Sequence, residues 1–169
     1  MSVATRRMVF TPTFFCRGWN FSKHIADWPQ RLARRVSWPS VPEAWCHELP
    51  PPQLLEGVEQ FNRGEYFEQH ETLEVLWRVE TRPVRRLYQG ILQIGVAFYH
   101  LQRHNYHGVV YMLTRGSAHL EPFAPACQRI DVASLIELAA STRRVVEQLG
   151  PTRLDEFPWE PKPSVLVTE

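Results

Sequence analysis

PVRRLYQGILQIGVAFYHLQRH, residues 83–104, is apolar almost all the way round at helical spacing. Leu87, Ile91, Leu92, Ile94, Val96, Phe98, Tyr99 and Leu101 leave it no broad polar face, and such a helix is stable only when other helices surround it. Its proline stands where a first helical turn tolerates one. The stretch therefore predicts a helix from about Pro83 to His104 at the centre of an all-α bundle. What polarity it has is gathered on one side, because Arg86, Gln89, Gln93, His100 and His104 lie within about 40° of Gln93 at ~100° per residue. Gly90 and Ala97 on that side would let another helix come close.

Toward the N-terminus, FNRGEYFEQHETLEVLW at residues 61–77 predicts the preceding helix, from about Glu65 to Glu80. Tyr66, Phe67, Leu73 and Trp77 fall within roughly 60° of His70, and Glu74 about 40° from it. A titratable pair then sits in the middle of an apolar stripe, where a charge without a partner costs several kcal/mol, so His70 and Glu74 need partners. Glu68 falls on the opposite side and is expected in solvent. Thr81, Arg82 and Pro83 make a short break, and helices joined that way are antiparallel neighbours. The His70 stripe and the Gln89, Gln93 and His100 stripe are therefore expected to face each other.

The rest of the bundle follows the same signals. Leu54, Leu55, Val58 and Phe61 mark a first helix that Gly64 ends. Asn105 caps a fourth helix with the stripe Val109, Leu113, Gly116 and Leu120. Asp131 caps a fifth that stops at Gly150 and Pro151. Five helices and no convincing strand make a single compact bundle over residues 50–150. Residues 1–49 read as a basic, irregular arm with Trp19, Trp28, Trp38 and Trp45 among prolines, and residues 151–169, including FPWEPKP, as a C-terminal tail along the surface.

Composition narrows the function classes. No apolar run approaches the ~20 residues of a membrane span, so a soluble protein is expected. Residues 1–42 carry seven Lys or Arg against one acid, while residues 43–169 carry twelve against seventeen. The acidic body is therefore not expected to bind nucleic acid, and only the arm has the charge to contact a polyanion or other partner. Cys16, Cys46 and Cys127 are odd in number and widely spaced, which indicates neither a disulfide framework nor a thiolate zinc site. A cytoplasmic location fits them, and the acid-poor start of the chain offers organellar import as the alternative.

The candidate ligand-binding residues are His70, Glu71, Glu74, Trp77, Arg86, Gln89, Gln93 and His100: imidazole, carboxylate and carboxamide groups that can satisfy one another or hold a small polar ligand between helices. His70 and Glu74, with His100 on the next helix, also make a candidate set for a divalent metal, although neither HExxH nor ExxH is present. Three readings follow. The first is a small-ligand-binding or structural domain with a buried His/Glu/Gln centre. The second is a metal-assisted hydrolase using His70, Glu74 and His100, and the third an adaptor acting through the Trp-rich arm.

The elements FEQHE, LEVLW and QGILQ in this order, then GVVYML and RG, resemble the domain of unknown function 309 family, small helical-bundle proteins whose activity is not established. The resemblance covers about residues 55–137. It implies that Glu68, His70, Glu71, Glu74, Trp77, Gln89, Gln93, His100, Asn105 and Gly108 are the residues that define the family. His104 stands where the family pattern leads one to expect glycine.

Overall fold

The N-terminal boundaries of three of the long helices are set by local devices. In the computed structural model, which describes residues 43–168, α1 is a single turn, Glu43–Cys46. Helix α2, Pro52–Arg63, starts on a proline and ends at Gly64, whose φ of 84° lets its N–H turn back to Gln60 and Phe61 carbonyls. Helix α3 is Tyr66–Val79 and α4 is Arg85–Gln102. In the break between them Glu80 accepts the backbone N–H of Arg82 at 2.9 Å and its guanidinium at 2.8 Å. These bonds hold the Glu80 carboxyl down at about 2. Helix α5, Tyr106–Leu120, is capped by Asn105, whose Oδ1 accepts from Gly108 N at 3.1 Å. Helix α6, Val132–Leu149, is capped by Asp131 accepting from Ser134 N at 2.9 Å.

The five long helices match the sequence reading, and α4 is central as its all-round apolarity requires. It packs between α3 and α5, with α2 against α3 and α6 against α5. Gly90 permits the α4–α5 approach, since a Cβ there would lie 3.1 Å from the Gly116 carbonyl. Phe61, Tyr66 and Phe98 join three helices through ring contacts of 5.2 to 5.4 Å. No helix among the described residues is long and apolar enough to cross a membrane.

Three features depart from expectation. A small antiparallel hairpin, β1 (Ala126–Cys127) and β2 (Ile130–Asp131), precedes α6. Its two-residue turn is Gln128 and Arg129, at φ 46° and 64°. Hairpin turns of this hand usually announce themselves with Asn-Gly or Asp-Gly, and neither is present. The C-terminal stretch runs over the bundle yet sinks Leu154, Phe157 and Val165 into it. Asn62 of α2 clamps this stretch by exchanging hydrogen bonds with the Val165 backbone at 3.0 and 2.7 Å.

The third departure corrects the reading of the cysteines: Cys46 and Cys127 form a disulfide across a sequence separation of 81. It ties α1 to β1, so the last residues of the N-terminal arm are helical and covalently fixed. A wide spacing without a motif hides such a bridge, because only the fold brings the two positions together. Trp19, Trp28, Trp38 and the rest of the arm to residue 42 lie outside the described residues.

His104 ends α4 at φ 54°, a conformation that costs an L-residue with a Cβ and costs glycine little. His104 is exposed, so His104→Gly should raise stability by about 1 kcal/mol, measured by urea unfolding.

Candidate functional site

Helix α3 buries Tyr66, Gln69, Leu73 and Leu76. The centre of that face lies roughly 80° from His70, so the stripe is turned away from the position the sequence suggested. The residue at its middle is Gln69, with 0% of its surface exposed. Gln69 Nε2 donates to the Ile91 carbonyl at 3.2 Å, and its Oε1 rests against Gly95, where a Cβ would overlap it. Sequence reasoning missed both residues. A lone glutamine beside a histidine carries no signal, and only Gly95 inside an apolar helix hinted at close approach.

His70 is half-buried on the flank of α3 and points into the outer seam between α3 and α4. Two contacts fix that seam. At one end the Arg85 guanidinium lies 5.0 Å above the Trp77 ring, and at the other Phe67 meets Tyr99 at 5.9 Å, with Arg103 4.7 Å above Tyr99. Arg85, Leu92, Val96 and Tyr99 share one flank of α4, within about 40° of its middle. By helical periodicity His70 and Glu74 lie on the α3 flank between the two anchors, and Leu92 and Val96 on the corresponding flank of α4.

Burial lowers the His70 pKa more than Glu74 and Glu71 raise it, so the imidazole is neutral near pH 7. Glu74 is taken by Arg78 at 2.8 Å on its own helix. Glu71 is exposed, as is Glu68. Two donors in the seam, Trp77 Nε1 and Arg85 Nε, are buried and have no acceptor among the described residues.

The second polar stripe goes to a different seam. His100, 8% exposed, is packed against Gly108 of α5, and Asn105 Nδ2 donates to its Nδ1 at 3.2 Å. Asn105 thus caps α5 with its oxygen and holds His100 with its nitrogen, which makes His100 a corner piece of the α4–α5 turn. At the other end Arg86 lies close enough to His119 to lower its pKa. Gln89 and Gln93, half-buried, lie between them on the same stripe. The eight candidates are therefore divided, with His70, Glu71, Glu74 and Trp77 on α3 and Arg86, Gln89, Gln93 and His100 on the other polar stripe of α4.

This division corrects the proposed metal set. Among the described residues no three His, Cys, Asp or Glu side chains are grouped as a metal ion requires. His70, Glu74 and His100 are not brought together, and Glu74 and His100 have protein partners instead.

His119, unremarked in the sequence, is half-buried on α5, and burial followed by the charges of Arg115 and Arg86 pushes its pKa down to about 4. The unfolded chain protonates it near 6.5, so below that pH the unfolded state binds the extra proton. Stability contributed by neutral His119 is full above pH 6.5 and lost as pH falls toward 4. Urea unfolding at pH 7 and pH 4.5 should show a smaller acid loss for His119→Gln than for the wild type.

Residues 54–112 match the family model described as Domain of unknown function (DUF309). This segment, less than half of the chain, is similar to that family. No curated protein and no solved structure matches the chain. The matched residues take in α2, α3, α4 and the first half of α5, and so hold both seams entire except for His119 and its neighbours. The match ends at Met112, short of the residue 137 that the sequence resemblance reached. The β1–β2 hairpin, the disulfide and α6 lie outside the matched segment.

Proposed function

We propose that the helical bundle binds a small ligand carrying a carboxylate or carbonyl group in the outer α3–α4 seam. The observation that supports this is the pair of buried donors, Trp77 Nε1 and Arg85 Nε, held in one cation–π contact and without an acceptor among the described residues. A buried donor without a partner costs about 1–3 kcal/mol, and two side by side are an arrangement that an incoming oxygen atom repays. Neutral His70 adds a further group that can donate or accept, and Leu92 and Val96 supply an apolar floor. Binding is favoured over hydrolysis because Glu74, the carboxylate nearest to His70 in sequence on that face, is engaged by Arg78. The adaptor reading rests on residues outside those described.

The cysteine spacing points to the cytoplasm, whereas a formed Cys46–Cys127 bridge favours an oxidising compartment or reversible redox chemistry.

The test uses acetate as the probe and chloride at equal ionic strength as the control. The Trp77 indole N–H resonance, assigned by its loss in Trp77→Phe, should shift saturably with acetate alone. Equal shifts with both salts, or a shift confined to other indoles, would refute the proposal.

A further inference from the structure

We propose that Cys46–Cys127 is a thiol–disulfide exchange site open to a dithiol, and that its reduction releases α1 from the rest of the helical bundle. The bridge lines a cleft of about 580 Å³ whose walls include His47, Leu49, Pro125 and Arg129. Its two ends differ. Cys127 is 1% exposed, while Cys46 is only half-buried. The less buried Cys46, which lines the cleft, is therefore the end assigned to meet an incoming thiolate.

Attack there forms a mixed disulfide at Cys46 and expels Cys127 as a thiolate, which takes up a proton. The second thiol of the dithiol then attacks the mixed disulfide, frees Cys46 as a thiol and leaves the reagent as its cyclic disulfide. Two electrons and two protons pass from dithiol to protein, and no other reactant is needed.

Among the described residues, α1 is otherwise held by the packing of Trp45 against the core and by two hydrogen bonds. It is one turn long and has no fully buried residue, and a turn of that length does not stand alone. Its remaining bonds are Gln128 N to the Cys46 carbonyl at 2.8 Å and Gln128 Nε2 to the Trp45 carbonyl at 3.4 Å. Just beyond it, Glu48 pairs with exposed Arg82 at 2.9 Å. Beneath the bridge the bundle keeps its own contacts. Cys127 stays buried as a small apolar side chain, and Tyr88 Oη donates to Gln128 Oε1 at 3.0 Å.

The oxidised full-length protein is treated with dithiothreitol without denaturant, quenched with a maleimide and mapped by peptide. Cys46 and Cys127 should both be labelled after treatment and neither before it, with far-UV helicity retained. Labelling that needs denaturant would overturn the proposal. The direction of attack is read from two variants incubated folded with oxidised glutathione: Cys127→Ser should form a mixed disulfide at Cys46, and Cys46→Ser none at Cys127. The reverse pattern would overturn the assigned polarity. Chymotrypsin should cut after Trp45 about tenfold faster in the reduced protein than in the oxidised one. Equal rates would show that α1 is not released.

Discussion

Removing the Cys46–Cys127 bridge lowers the free energy of global unfolding by roughly 4 kcal/mol. The bridge closes a loop over a sequence separation of 81, and that loop contains α2, α3, α4 and α5. Its effect lies in the unfolded chain, which gains conformational freedom when the cross-link is opened. Few native contacts are lost with it, because α1 buries no residue fully. At a urea dependence of about 2 kcal/mol per molar, the unfolding midpoint of Cys46→Ser should fall by roughly 2 M relative to the oxidised wild type. Dithiothreitol should move the wild type to the position of the variant and leave the variant unchanged. A shift below about 0.5 M would mean that the bridge is not formed in the folded protein.

The loss of global stability and the release of α1 are distinct events. The first is an equilibrium between folded and unfolded chains, the second a local opening that leaves α2 to α6 packed. A protein can therefore lose α1 on reduction while its helical signal persists at temperatures well below unfolding.

Much of the helical plan was legible because several boundaries are announced locally: Gly64, Asn105, Asp131 and Gly150 stand at helix ends whose backbone groups need partners. The centrality of α4 was legible too, since no polar face exists to meet water. The hairpin was not, because Gln128 and Arg129 adopt the left-handed turn without the residues that favour it. The bridge depends on a tertiary juxtaposition that spacing cannot encode.

The site was half legible. The sequence located the residues of both polar stripes but set the α3 stripe facing the wrong one, for a physical reason. Phe67 and Trp77 flank His70 on the helix and drew the apparent apolar centre toward it. Phe67 is 39% exposed, though, and Trp77 only half-buried against Arg85. The true centre is fixed by Gly57, which admits Leu73, and by Gly95, which admits Gln69. Where two helices meet through glycines, the missing side chains decide the facing surfaces, and a moment taken over the side chains present cannot see them.

Gly95→Ala should destabilise the helical bundle by about 2–3 kcal/mol, although alanine gains about 1 kcal/mol over glycine in a helix interior. The new Cβ would overlap Gln69 Oε1, and the side-chain carbon and nitrogen behind it are also within contact range. The end of a flexible side chain would normally step aside at little cost. Gln69 cannot, because it is fully buried and its carboxamide has no solvent to turn to. Displacement breaks the Nε2 bond to the Ile91 carbonyl and leaves a buried amide unsatisfied, which alone costs about 1–3 kcal/mol. The double-mutant cycle separates this from a general intolerance of the helix. Gln69→Ala alone should cost about 2 kcal/mol through the cavity and the lost hydrogen bond. In the Gln69→Ala background, Gly95→Ala should cost almost nothing, because the alanine methyl enters the space that the carboxamide vacates. The expected coupling is about 2 kcal/mol, measured by urea unfolding of the four proteins. Additive effects would show that the Gly95 Cβ is excluded by something other than Gln69, and that this pair does not fix how α3 faces α4.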